Sequence, residues 1–593
     1  MVRGVVKKVV EQGMLLCRMD DPIREIEEGL VQGFSYHFSE VDFIGIDKYL
    51  DIFYGIPFAE PPIGDLRWQL PVPKANWDGI LNATSRSAAC FQENPATIYL
   101  RKSEDCLYLN VYAPSPKPNG AAVMVFFHGG GFSFGSGMQF EYDGAPITAV
   151  GDIIYVAVNY RLNVFGSLST GDEASPGNYG MFDQLESLKW VQRNIEVFGG
   201  DPNRVTIFGE SAGAASAGFH LLSKESHSFF NQVILESGAA SCDWAFTDVE
   251  VARERAIAMG QECGCDTSNT MTMVECLRTK DVQDIFDASV VAGVYGSATV
   301  DGVFLDDLPM NYINRGDFKN VNIMVGTNQD EGALNAIGVY PDYLFADDPP
   351  HMNRSDFLRE VPRYVGEDNP VFLDAMYQEY TPWDVVDKPD ADYLRAFIDI
   401  NTDLKFACPT DIVARVHAEA GDNVYMYQMT RDPSASLLSI GPIGPGWTGA
   451  AHSEELQFVF GSPFMETNLH GKLNDDDKAL TVEFMKYWTN FAKTGDPNDA
   501  GLATWPLFTV PEMEYLMLDL NSTTGRALKA KPCAFWNDYM VKLRSFADNL
   551  PEMEKQWREE FYAWKNVHMP EWKEQFDDYK EVTGHCDKEG GCK

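Results

Sequence analysis

One serine stands where its hydroxyl could act as a nucleophile. Val205-Thr-Ile-Phe208 is a short β-branched and apolar run. Gly209-Glu-Ser-Ala-Gly213 follows it, and then the small residues Ala214-Ala-Ser-Ala-Gly-Phe219. Strand, tight turn and helix in that order make the G-x-S-x-G nucleophile elbow. The turn leaves room only for small residues two before and two after the serine, hence Gly209 and Gly213. It lifts the Ser211 hydroxyl out of the sheet and sets it at a helix N-terminus, where the macrodipole favours developing negative charge. The chemistry this suits is covalent attack on an acyl carbon.

Such a serine needs a base, an acid that orients the base, and donors for the oxyanion. His128-Gly-Gly-Gly-Phe132 follows the apolar run Val123 to Phe127 and leaves its backbone N–H groups unshielded. A phosphate loop would end in Gly-Lys-Ser/Thr, and Gly135-Ser-Gly-Met138 has no lysine. An oxyanion hole fits better, built from Gly130, Gly131 and the N–H of Ala212. Of the ten histidines, His452 follows a loop ending in Trp447-Thr-Gly-Ala-Ala and precedes Ser453-Glu-Glu-Leu-Gln-Phe-Val-Phe-Gly461. Small residues before it would let it swing toward the elbow. The acid belongs on a loop after a late strand. Asp330 and Glu331 both qualify, and the residues alone leave the two open.

The elements that must position these groups are legible as well. Unbroken apolar runs predict buried strands at Val123–Phe127, Ile153–Val158, Val205–Phe208, Gln232–Leu235 and Val321–Gly326. A helix is expected from about Gly180 through Asn194. Strands alternating with helices predict an α/β fold: a large, mostly parallel sheet flanked by helices, with loops gathered at its carboxyl edge. We expect one domain over residues 33–545. Residues 1–32 receive no role, and residues 546–593 form a separate tail.

Bulk composition narrows the partners. With 47 basic against 88 acidic residues, the net charge is -41. That argues against nucleic acid, which requires clustered Lys and Arg, and suits attraction of cationic small molecules. No stretch has the apolar length of a membrane span. The first residues do not read as a signal peptide, yet Asn82, Asn353 and Asn521 begin glycosylation sequons. The expectation is a secreted or extracellular protein, from whose sequence a leader is absent or whose start is misplaced.

Gly199-Gly-Asp-Pro-Asn-Arg-Val-Thr-Ile-Phe-Gly-Glu-Ser-Ala-Gly213, Ser103-Glu-Asp-Cys-Leu-Tyr-Leu-Asn110 and Phe458-Val-Phe-Gly461 together resemble the cholinesterase and type-B carboxylesterase family of α/β-hydrolases. The resemblance runs from about Gly33 to Leu543. It implies Ser211 as nucleophile, Glu331 as acid, His452 as base, and an ester as substrate, with neither metal nor organic cofactor. It implies that Glu210 lies near a cationic group of the substrate. Arg67 would pair with Glu104 and Arg161 with Asp183. Cys90–Cys106, Cys265–Cys276 and Cys408–Cys533 match the family's bridges, with Cys263 competing for the place of Cys265.

Beyond residue 545, Trp557, Phe561, Trp564, Trp572, Phe576 and Tyr579 fall on one helical face, with charged residues opposite. This resembles the tryptophan-rich tail by which cholinesterases associate around a proline-rich anchoring protein, and Cys586 fits the interchain bridge. Synaptic or membrane-tethered placement through such a partner would follow. Two features depart from that pattern. The step from Trp564 to Trp572 is one residue longer than the tail's usual step, and Pro570 should kink or break the helix. The substrate pocket departs too: the Cys90–Cys106 loop has Tyr99 but no Trp, and Leu334 stands where an aromatic is usual. Trp244 and Tyr142 match aromatic positions. Three readings follow: a cholinesterase acting on acetylcholine or related esters, a general carboxylesterase for neutral esters, and a non-catalytic adhesion protein of the neuroligin kind. The serine speaks against the last.

Overall fold

A computed structural model describes residues 21–437, 446–465, 473–548 and 552–583. The chain divides into two units, residues 1–350 with 402–529 and residues 351–401 with 530–593.

The first unit is organised on an 11-stranded sheet. Its strands are β1 (Phe34–Glu40), β2 (Ile46–Pro57), β3 (Tyr108–Ser115), β4 (Ala121–Phe127), β5 (Ile154–Val158), β6 (Gly200–Glu210), β7 (Gln232–Glu236), β8 (Asn322–Asn328), β9 (Val424–Met429), β10 (Glu514–Leu518) and β11 (Thr523–Arg526). Their order across the sheet is β11-β10-β9-β8-β7-β6-β4-β5-β3-β2-β1. The central strands, from β5 through β4 and β6 to β10, pair in parallel, and the outer ones are antiparallel. Every parallel strand predicted is present; those expected from Val123 and Val205 are longer by two or more residues, and the others shift by one or two residues at an end.

Alternation along each strand feeds two cores. In β4, Val123, Val125 and Phe127 face one apolar cluster with the helices α1 (Tyr179–Phe198) and α2 (Ala212–Leu222). Ala122, Met124 and Phe126 face the other, with α3 (Asp475–Thr494). A strand buried on both faces has no polar alternation, which is why these runs read as continuously apolar. The order reverses at β4, whose neighbours β5 and β6 leave it on opposite sides. The crevice beyond the carboxyl ends at such a reversal is where α/β sheets place their ligands. Phe127 and Gly209 are register partners there, so the glycine loop and the elbow emerge side by side.

Residues 23–32, which the sequence leaves without a role, form two strands, Ile23–Ile26 and Gly29–Gln32, in a small sheet with Ile80–Asn82. Cys90 is bonded to Cys106 and Cys265 to Cys276, leaving Cys263 free. Cys408 and Cys533 are each disulfide-bonded as well. Asn82, Asn353 and Asn521 are all exposed. Cys586 lies outside the described residues.

The second unit is helical. Its tail corrects one expectation: Pro570 does not break the helix. Glu552–Ala563, a π turn over Trp564–His568 and Met569–Thr583 run on without interruption. In the π turn the Met569 N–H reaches back to the Trp564 carbonyl, which takes up one extra residue. It also widens the helix where Pro570 lacks a donor and where its ring would press on the preceding turn. One device thus absorbs both the long tryptophan step and the proline. Trp557 stacks on Phe561 and Phe561 on Trp564 before the turn, and Trp572 on Phe576 after it.

Candidate active site

The elbow is strained at one residue. Ser211 has φ 55° and ψ -122°, in the positive-φ region that side chains rarely occupy. Its neighbours explain how this is held. A Cβ at Gly213 would lie 1.9 Å from the Phe127 carbonyl oxygen, and one at Gly209 would lie 2.4 Å from the Gly213 carbonyl carbon. The Ser211 N–H donates to the Glu236 carbonyl at 2.8 Å, fastening the turn to β7. Helix α2 starts at the next residue, so the Ala212 N–H opens a helix whose first donors have no partner within it.

The glycine loop lies directly against this turn. A Cβ at Gly129 would meet Glu210 Oε2 at 2.5 Å and Ser211 Cβ at 3.2 Å. Gly130 has φ 107° and Gly131 φ 57°, and a side chain on Gly130 would strike the Phe134 carbonyl at 2.1 Å. The N–H groups of Ser133 and Phe134 both donate to the Gly130 carbonyl, at 3.0 and 3.1 Å. Among the described residues the Gly130 and Gly131 N–H groups have no protein acceptor. Side chains that the sequence did not single out hold the loop. Gln92 both accepts from and donates to the Gly135 backbone, at 2.8 Å each. The His128 and Tyr160 rings stack at 4.4 Å, and the Tyr160 hydroxyl donates to the His128 carbonyl at 2.6 Å. Burial depresses the His128 imidazole to about 4, so it is neutral at physiological pH. Its Nδ1 lies 2.8 Å from the Gly129 carbonyl and must carry the ring proton to bond there.

Geometry separates the two carboxylates that follow β8. Asp330 pins the histidine loop: its N–H donates to the Ala450 carbonyl at 2.9 Å, and its Oδ2 accepts from the Ala450 N–H at 3.1 Å. Glu331 takes the imidazole, with His452 Nδ1 at 2.6 Å from Oε2, while Oε1 accepts the Asn328 N–H at 2.7 Å. The other imidazole nitrogen, Nε2, lies 3.1 Å from Glu210 Oε1, which also accepts from the Ser453 hydroxyl at 2.7 Å. The Ser211 hydroxyl has no hydrogen-bond partner among the described residues. Burial opposes a charge on His452, but Glu210 and Glu331 outweigh it and raise the imidazole to about 9.

More carboxyls lie beneath. Burial raises Glu236 to about 8, and it accepts from Trp488 Nε1 at 2.9 Å. Burial, joined by the other carboxylates, pushes Glu455 up well beyond the usual range. Ser453, Glu236, Glu455 and Phe406, whose ring lies 4.6 Å from that of His452, all escaped sequence reasoning. Only Ser453 carried a signal, its position next to the histidine.

The pocket residues divide. Tyr142 packs at 5.0 Å on Phe126, and the charges of Glu210 and Glu141 add to burial in raising its hydroxyl. Trp244 donates to the Lys405 carbonyl at 2.9 Å and lies 6.1 Å from Phe406. Tyr99 donates to Glu141 Oε2 at 2.7 Å and stacks on Phe140. Both expected ion pairs form: Arg67 is bidentate to Glu104 at 2.6 Å, and Arg161 to Asp183 at 2.8 and 2.7 Å.

The model of the carboxylesterase family matches residues 20–536. The chain belongs to the carboxylesterase family. This carboxylesterase is 37% identical over 561 residues to a protein named acetylcholinesterase from Bungarus fasciatus, covering 90% of each chain. It is 36% identical to the acetylcholinesterase of Electrophorus electricus, over 89% of this chain and 90% of the other. It is equally 36% identical to the cholinesterase of Mus musculus, over 90% of each. The protein is a carboxylic ester hydrolase of the serine type. Among the described residues no helix is long and apolar enough to cross a membrane.

Proposed function

We propose that this carboxylesterase is a cholinesterase, hydrolysing acetylcholine or related choline esters through an acyl-enzyme at Ser211. The observation that carries the reading is the Glu210 carboxylate, buried beside the nucleophile and 3.1 Å from the base. A fixed negative charge there suits an ester whose alcohol is cationic, and the net charge of -41 draws such a substrate inward.

In this reading His452 takes the Ser211 proton on Nε2, while Glu331 holds Nδ1–H and stabilises the imidazolium. Ser211 Oγ attacks the ester carbonyl. The N–H groups of Gly130, Gly131 and Ala212 receive the oxyanion, and loss of one such donor costs about 3 kcal/mol. His128 strengthens the set. The Gly129 carbonyl that it bonds belongs to the same peptide unit as the Gly130 N–H, so this bond both orients and polarises that donor. His452 returns its proton to the departing choline oxygen, and water, activated by the same base, releases the acid.

A general carboxylesterase is the second reading. It is favoured by Leu334, which is 41% exposed, and by Tyr99, whose hydroxyl is taken by Glu141. The test is the ratio of turnover on acetylthiocholine to that on a neutral isosteric thioester. A ratio well above one that falls with added salt supports the cholinesterase; a ratio near one at all salt concentrations sinks it.

The same proposal extends to assembly. The tail rings are exposed, Trp557 by 62% and Trp572 by 57%, on a helix long enough to pair with copies of itself around a proline-rich partner. The disulfides and exposed sequons support a secreted or extracellular place.

A further inference from the structure

Ser453, the residue after the base, holds a conformation that a glycine would take without strain. Its φ is 72°, in the left-handed region that a side chain disfavours. The loop fixes it there from both sides. Glu331 Oε2 lies 2.6 Å from His452 Nδ1. The Ser453 carbonyl accepts the Leu456 N–H at 3.1 Å, and the Glu454 N–H donates to the Ala451 carbonyl at 3.2 Å. Strain kept at such a place calls for a reason, and the side chain supplies one. The Ser453 hydroxyl donates to Glu210 Oε1 at 2.7 Å. Among the described residues it is the one hydrogen-bond donor to that buried carboxylate. His452 Nε2 lies 3.1 Å from the same oxygen.

We propose that Ser453 is a positioning residue of the reaction: its hydroxyl holds Glu210 Oε1 and weakens the hold of that carboxylate on the outer nitrogen of His452, which must serve Ser211. The inference rests on His452 as base and Ser211 as nucleophile in the proposed function and deepens that reading; it does not depend on a choline ester.

The argument concerns the last proton of the Glu210–His452 pair. The base is ready only when that proton is gone, leaving a neutral imidazole beside a carboxylate. Wherever the proton sits beforehand, on nitrogen or on oxygen, the pair titrates as one unit. Once it has left, a buried carboxylate remains, and the hydrogen bond from Ser453 stabilises that state. Before it leaves, the proton itself satisfies the carboxylate, directly or from the neighbouring ring, and the hydroxyl matters less. Removing the hydroxyl therefore raises the pH at which the pair gives up this proton.

Other groups face the pair. Glu331 stays on Nδ1. The hydroxyls of Tyr142, Tyr160 and Tyr427 are raised by burial and further by the charge of Glu210, so they keep their protons. Burial raises Glu455 as well, and Glu236 on β7 to about 8.

The test is kcat/KM of the full chain on a neutral ester, followed against pH. Ser453→Ala and Ser453→Gly should both move the acid limb upward by about one unit, the size expected for a lost hydrogen bond to a charged group. At a given pH on that limb, turnover falls about tenfold, and the loss shrinks as pH rises above it. Ser453→Gly also removes the strained Cβ, so it keeps the loop even if Ser453→Ala does not fold. In a Glu210→Gln background the Ser453 variants should move the limb no further, and in a Glu236→Gln background the shift should persist. A limb that stays in place or moves down, a loss equal at every pH, a shift in Ser453→Ala without one in Ser453→Gly, or a full shift in the Glu210→Gln background would each overturn the proposal. An unmoved limb in an enzyme that loses its turnover in Ser211→Ala sinks this inference alone; turnover that survives Ser211→Ala sinks the assignment beneath it.

Discussion

The carboxylates at the edge of the central sheet and the aromatic rings of the C-terminal helix are each in the wrong solvent. Glu210, Glu236, Glu331 and Glu455 are all at most 2% exposed, although burial of unpaired carboxylates is costly. Trp557, Trp564 and Trp572 are all more than half exposed, although rings of that size dominate apolar cores. The inversions differ in what sustains them. Neighbouring strands, a tryptophan N–H, an asparagine and the imidazole hold the carboxylates in place. Among the described residues, the rings stack on one another along one helix. The first arrangement is complete within one chain and suits chemistry; the second leaves its rings exposed, as the proposed association through the tail requires.

That contrast can be broken at either end. Ser211→Ala should lower ester turnover by about 10⁶-fold, as removal of a triad serine does, and leave association untouched; a purified variant with unchanged turnover would remove the nucleophile assignment. Glu331→Gln should lower kcat by about 10⁴-fold by favouring the wrong imidazole tautomer, whereas Asp330→Asn should act mainly through stability. Truncation after Asp548 should leave kcat/KM within error and convert the sedimenting species to monomer. Replacing Trp564 and Trp572 by Ala should weaken association by about two decades or more. If the truncated chain sediments as before, the tail is not the association surface.

The smallest effect is on stability against pH. His452 is raised to about 9 from 6.5, so the folded protein holds this proton longer than the unfolded chain does. Its contribution is whole below 6.5 and is lost as pH rises through about 9. Glu236, raised to about 8, acts in the same direction. Melting temperature should therefore fall between these pH values, and Glu210→Gln should flatten the decline. A melting temperature that rises over this range would contradict the buried cluster.

Much of this was legible before any coordinates. The glycines at 209 and 213, the triple glycine at 129–131 and the apolar strands each express a steric or burial demand met within a few residues. The family's residues added the roles. What escaped was contact between residues far apart in sequence. Phe406 carries no local mark of its place on the imidazole, and nothing around Gln92 announces that it pins the glycine loop. The tail misled for a different reason: Pro570 forbids a regular α-helix, but a π turn lies outside the pattern used to judge it.

By itself the sequence determined the elbow, the glycine loop, the parallel sheet and the aromatic stripe, because backbone strain and side-chain period act over short spans. Residue types alone left Asp330 against Glu331 and Cys263 against Cys265 open; the family resemblance implied Glu331 and Cys265, and the tertiary structure is where Glu331 meets His452 and Cys265 is bridged. It alone set the outer nitrogen of His452 3.1 Å from Glu210. Those choices turn on where separate loops come to rest at the sheet's edge. Two neighbouring residues of like chemistry are equivalent until closure aims one inward and the other away.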